Sequence, residues 1–122
     1  MKSKFKAMVL SCMDPRFQHL VQNYLKKKKL IGKYSAFTIA GAAVGVTHKK
    51  FKQWHKTFYD NLAISIQLHK IEKLIVINHK DCGATKIANG KKNSSRVVYY
   101  NKKTNKKQIS KIKSRAKSNV FR

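Results

Sequence analysis

The run Leu74-Ile75-Val76-Ile77, set between Lys73 and Asn78, restricts the fold more than any other segment of this chain. Four consecutive apolar residues show neither the alternation of a strand with one wet face nor the three-to-four spacing of an amphipathic helix. They suit a strand covered on both sides, the condition of a central strand in a parallel sheet packed between helices. Residues 5–10 form another short apolar run without helical period, and residues 34–40 a third, rich in the β-formers Tyr34, Phe37, Thr38 and Ile39. Between the first two, Asp14-Pro15 starts a helix, with Asp14 near the cap and Pro15 at the first position. Phe17, Leu20, Val21, Tyr24 and Leu25 then recur at helical spacing as far as the lysines at 26–29, cations that suit a helix C-terminus, and the helix stops near Gly32. Phe51, Trp54, Phe58, Leu62, Ile66 and Leu68 trace one apolar face of a long helix over residues 49–69. A further short helical stretch is expected to run to about Ala88. Strand and helix thus alternate, which predicts an α/β fold: a mostly parallel β-sheet flanked by helices, in a chain of 122 residues that bounds the answer at one domain.

Ligands of such sheets bind beyond the carboxyl ends of the strands. Three segments rich in reactive or small residues stand there. Cys12, Asp14 and Arg16 follow the first apolar run, the small-residue loop Gly41-Ala42-Ala43-Val44-Gly45 follows the second, and His79-Lys80-Asp81-Cys82-Gly83 follows the third. His79 and Cys82 have the spacing of metal ligands, and Cys12 adds a soft ligand from a different strand. Two thiolates and one imidazole suit Zn²⁺ and leave a fourth tetrahedral position open to water, whose pKa can fall toward about 7. A disulfide between Cys12 and Cys82 is the alternative, disfavoured in a reducing cytoplasm. Arg16 can hold Asp14 ionised and aimed by a two-pronged ion pair, leaving the carboxylate to accept the proton of the zinc-bound hydroxide in a hydrogen bond and orient its lone pair toward an electrophile. Taken alone, Asp14 reads equally well as a plain helix cap and Arg16 as a solvated helix residue.

Charge sets a second constraint. The formal balance of +25 leaves only Asp14, Asp60, Glu72 and Asp81 against 29 lysines and arginines, which implies attraction to polyanions such as nucleic acid or anionic membrane surfaces. The excess is nearly all lysine rather than the arginine forks that clamp phosphates, and a compositional drift toward lysine gives the same balance. Residues 91–122 contain no acidic residue and little apolar periodicity beyond Val97-Val98-Tyr99-Tyr100. The expected division is therefore a zinc domain over residues 1–90 and a basic extension over 91–122, holding at most one edge strand and able to bind polyanions nonspecifically. No apolar run approaches the roughly 20 residues of a bilayer span. The stretch at residues 7–10 is too short for a signal-peptide core, and Val9-Leu10-Ser11-Cys12 lacks the apolar region of a lipoprotein signal, so a cytoplasmic location is expected. His19, His48, His55 and His69 have no ligand-like spacing to the cysteines and are expected on surfaces or helix faces, the first candidate for an exception being His48, near the Gly-rich loop, as a proton shuttle. Trp54 and its aromatic neighbours read as core or dimer contact. Gly41 and Gly45 lack the Lys-Ser/Thr ending of a phosphate loop.

Cys12-Met13-Asp14-Pro15-Arg16, then Ala40-Gly41, then His79-Lys80-Asp81-Cys82-Gly83 resembles the CxDxR, AG and HxxCG pattern of β-class carbonic anhydrases, in order and in spacing. The resemblance covers roughly residues 5–88. It implies a β-carbonic-anhydrase-like fold, one Zn²⁺ per chain on Cys12, His79 and Cys82, an Asp14–Arg16 catalytic dyad, and a substrate mouth at Ala40, Gly41 and Gly83. The implied activity is that of a zinc lyase, reversible hydration of CO2 to bicarbonate, with assembly as a homodimer or higher homo-oligomer. In some family members the counterpart of Asp14 itself closes the zinc site until the arginine pairs with it. Here Thr38-Ile39 occupies the place of the family's Arg-Asn, which removes polar groups from the mouth. The family's N-terminal helix and most elements after HxxCG have no counterpart, so a short, divergent or C-terminally truncated member is expected. Two alternatives accompany this reading: a zinc-binding protein without turnover, and a hydrolase of carbonyl sulfide or carbon disulfide.

Overall fold

A computed structural model describes residues 4–79, 83, 84 and 87, together with the backbone of 96–101. Four strands, β1 (Ala7–Ser11), β2 (Tyr34–Thr38), β3 (Lys73–Asn78) and β4 (Arg96–Asn101), form one sheet in the order β2-β1-β3-β4. The first three are parallel. Ala7 pairs with Tyr34 on one side and Lys73 on the other, while β4 runs antiparallel to β3. The chain moves outward from β1 to β2 and then returns across β1 to β3, so its direction reverses between β1 and β3. A sheet of this kind opens its ligand crevice at that point.

Period-two side-chain geometry divides the two central strands between two cores. Ala7, Val9, Ile75 and Ile77 face helix α1 (Gln18–Lys27), where they bury Val21, Leu25 and Leu30. Met8, Leu10, Leu74 and Val76 face the opposite way, onto helix α2 (Ala43–Thr47) and helix α3 (Lys52–His69) through Val46, Phe58 and Leu62. Both faces of β1 and β3 are thus covered, as the unbroken apolar run at 74–77 requires.

Three local expectations change. Asp14 and Pro15 open a 3₁₀ turn (Pro15–Phe17) before α1 starts, and another 3₁₀ turn (Lys49–Phe51) precedes α3. The segment 41–45 is not wholly a loop, because α2 begins at Ala43. Ile66 and Leu68 are 36% and 68% exposed and so leave the buried face of α3. That face continues from Phe58 and Leu62 to Ser65, which lies at the proper helical spacing. Ser65 stays buried because its Oγ lies 2.7 Å from Ser35 Oγ, which in turn lies 2.9 Å from His69 Nδ1.

Helix α1 ends in a Schellman motif. The Leu30 N–H donates to the Leu25 carbonyl and the Lys29 N–H to the Lys26 carbonyl, while Leu25 and Leu30 share the α1-side core. The left-handed position of that motif usually holds glycine, but here it holds Lys29 at φ 59°. Helix α3 likewise ends on a left-handed lysine, Lys70 at φ 55°. A side chain in that conformation costs about 1 kcal/mol relative to glycine.

Candidate functional site

Cys12 and His79 each follow directly on a paired strand, β1 and β3, whose last register pair here is Ser11 with Ile77. The sheet therefore delivers a thiol and an imidazole to neighbouring strand ends at the reversal point. Both are buried, Cys12 at 8% exposure and His79 at 5%. The Gly41 N–H donates to Cys12 Sγ at 3.4 Å, a contact that favours negative charge on sulfur. Gln18 Nε2 donates to the carbonyls of Cys12 at 2.9 Å and Asp14 at 2.8 Å, fixing the turn that carries both residues.

Asp14 caps the 3₁₀ turn and pairs with Arg16 at the same time, so the two readings of this residue coincide. Its Oδ1 accepts from the Arg16 backbone N–H at 2.9 Å and from Nε at 3.1 Å, and its Oδ2 accepts from an Arg16 terminal guanidinium nitrogen at 2.7 Å. The Arg16 side-chain hydrogen bonds, then its backbone N–H and its charge, hold the carboxyl at about 2 against an ordinary 3.8, with a smaller contribution from His79. Asp14 is thus ionised throughout the neutral range. His79 Nε2 lies 3.9 Å from Asp14 Oδ2, which places the carboxylate beside the imidazole without a direct hydrogen bond between those atoms. Phe17 stacks on the His79 ring with centroids 4.2 Å apart and planes inclined by 23°. The Arg16 guanidinium carbon lies 5.2 Å from the Phe17 ring centre, a cation–π distance.

Gly41 forms the wall of the site with φ +80°, a left-handed conformation that an added side chain would strain. A Cβ there would stand 3.1 Å from Ala84 Cβ, so the segment just past Cys82 returns against this loop. A Cβ on Gly45 would collide with the Ala40 carbonyl oxygen, and this close approach admits only glycine. Ala42, at φ 47° and ψ −109°, is a further backbone outlier at the same wall. Asn78 Oδ1 accepts from the Ala43 N–H at 3.2 Å and ties α2 to the end of β3.

The site residues expected from sequence are thus distributed as follows. Cys12, Asp14, Arg16, Gly41 and His79 gather at the carboxyl end of β1 and β3, with Ala40 in the same wall. Gly83 is exposed. Cys82 lies outside the described residues, and among the described residues no group of three or more His, Cys, Asp and Glu side chains could hold a metal. A buried thiol supported by an N–H and a buried imidazole are two donors of the kinds that hold zinc, and in that respect Cys12 and His79 fit the ion. His48 serves locally, with its Nδ1 accepting from the Lys50 N–H at 3.1 Å as the cap of the second 3₁₀ turn. Sequence marks Phe17 only as part of the apolar face of the first helix and does not single out Gln18, because helical spacing says nothing of the stack on His79 or the hold on the Cys12 carbonyl.

Two proteins described as uncharacterized, from Rickettsia conorii and Rickettsia bellii, are each 29% identical to this chain, over 68% and 65% of it. The matched regions cover 45% and 48% of those relatives, so the chain spans less than half of their length. No solved structure matches the chain. Among the described residues no helix is long and apolar enough to cross a membrane. One family does match, over residues 1–118, and with the strand-end cysteine, histidine and Asp–Arg pair in place the chain belongs to it: the family described as "Putative carbonic anhydrase".

Proposed function

We propose that this protein is a zinc lyase that hydrates CO2 reversibly to bicarbonate, with Cys12, His79 and Cys82 as its metal ligands. The observation that carries the reading is the Asp14–Arg16 ion pair, closed at 2.7 Å beside a buried His79 and two residues from a buried Cys12. When bound, zinc would supply a Lewis acid and a water acidic enough to act near neutral pH. Asp14, already ionised, accepts the hydrogen bond of the attacking water and fixes its direction. Arg16 engages both Asp14 oxygens, which orients the carboxylate and opposes its transfer to the metal. Phe17 fixes the plane of the His79 ring, and the Gly41 N–H supports charge on Cys12. Assembly as a homodimer or larger oligomer, and action in the cytoplasm, belong to the same proposal.

A second reading has its own support. Ile39, where the β class carries asparagine, packs against the apolar cluster around α3, so this position sends no polar group to the mouth. That favours a zinc-holding protein without turnover. The test is stopped-flow CO2 hydration by the purified, zinc-loaded full chain. Hydration that falls about a hundredfold or more in Asp14→Ala, with zinc retained, supports the proposal. Metal-free protein, or hydration indifferent to Asp14→Ala, overturns it. Zinc without activity toward CO2, carbonyl sulfide or carbon disulfide selects the second reading.

A further inference from the structure

At the end of the sheet opposite the candidate site, the chain leaves α1 and turns into β2. Gln22, Asn23, Lys26, Lys29, Ile31 and Lys33 line a cleft there of about 550 Å³. All six are exposed, and none is acidic. We propose that this cleft binds the polyphosphate group of a small anion through Lys26, Lys29 and Lys33.

Three observations carry the proposal. The Schellman turn folds the chain back so that lysines from the last helical turn, the turn itself and the approach to β2 share one concavity. Like charges brought together this way repel, and among the described residues the lining offers no carboxylate to relieve them. A ligand with several negative charges does so. Lys29 keeps a charged side chain at the left-handed position where glycine would be relaxed. The cleft is open to solvent and carries two carboxamides suited to phosphate oxygens, Gln22 being pinned by its Nε2 donating to the Tyr34 hydroxyl at 3.2 Å. Anions ordinarily avoid a helix C-terminus, which carries about half a negative charge. Here N–H groups already occupy the carbonyls of Leu25 and Lys26, and three ammonium groups outweigh the remainder. Lysines act as point charges and do not read bases, so a compact polyphosphate suits the cleft better than a nucleic-acid sequence.

The chain is so basic that weak polyanion binding alone decides nothing. The test is calorimetric binding of inorganic tripolyphosphate to the full chain, compared between two charge-matched triple variants. Lys26→Gln/Lys29→Gln/Lys33→Gln is expected to weaken binding about tenfold, and Lys49→Gln/Lys52→Gln/Lys70→Gln to leave it within about twofold. Two single variants guard against a folding effect. Lys29→Gly and Lys70→Gly each remove one charge and relax one left-handed residue, but only Lys29→Gly is expected to weaken binding, by about threefold. Equal losses in the two triple variants, or no measurable tripolyphosphate binding, overturn the proposal. So does a single-stranded oligonucleotide that binds more tightly than tripolyphosphate and loses affinity equally with either set of lysines.

Discussion

The two ends of α1 sit at opposite ends of one sheet and solve different problems. At the start of the helix, individual contacts fix the site around the buried Cys12 and His79: Gln18 on two carbonyls, Phe17 on His79, and Arg16 around both oxygens of Asp14. At its finish, three exposed lysines act through their summed field rather than through fixed pairs. Backbone strain divides in part the same way, Ala42 at φ 47° being the strained non-glycine at the site. Near the site, glycine occupies the positions that a side chain would disrupt, Gly41 by its φ and Gly45 by close approach. At the far end a lysine carries the strain where glycine would be relaxed. Function at the first end should therefore fail on a single substitution, while function at the second should decline lysine by lysine and weaken as salt rises.

The largest effect is expected at Arg16. Arg16→Ala should lower CO2 hydration by about one hundredfold, and Arg16→Lys should restore only part of it, because an ammonium cannot reproduce the fork on Asp14. Equal activity of the lysine variant and the wild type would remove the fork from the account. Next, Gly45→Ala should lose about 1–3 kcal/mol in urea denaturation by forcing α2 away from the Ala40 carbonyl. Lys29→Gly should move stability the other way, by about 1 kcal/mol upward. Opposite signs at the two ends support the division of strain, and equal signs break it. The smallest effect is electrostatic. In metal-free protein the Asp14 carboxyl, followed by NMR, should titrate near 2, and in Arg16→Ala it should return toward 3.8. Because the folded value is depressed, the stabilisation by this pair is present above the ordinary value and is lost as pH falls toward 2.

Much of this arrangement was legible in the sequence, for reasons that differ from residue to residue. The strand at 73–78 announces itself because it has no polar alternation. Cys12 and His79 could be placed on one edge because each directly follows such a run. Which face of β1 meets α1 was not legible, since Ala7, Met8, Val9 and Leu10 are all apolar and parity emerges only from packing. Ile66 and Leu68 misled by hydrophobicity, whereas the inward position belongs to Ser65, whose partner Ser35 lies thirty residues away in the chain. The Schellman turn was hidden because Gly32 marks the stop while Lys29 makes it. Cys82 is proposed as a ligand on its spacing to His79, and the proposed site depends on it.

The most direct test is therefore the zinc content of the purified full chain, beside Cys12→Ser, His79→Ala and Cys82→Ser. One zinc per chain is expected in the wild type and loss of the metal in each variant, with Cys82→Ser as severe as Cys12→Ser. A wild-type chain that takes up no zinc, or a Cys82→Ser variant that holds zinc as tightly as the wild type, would contradict it.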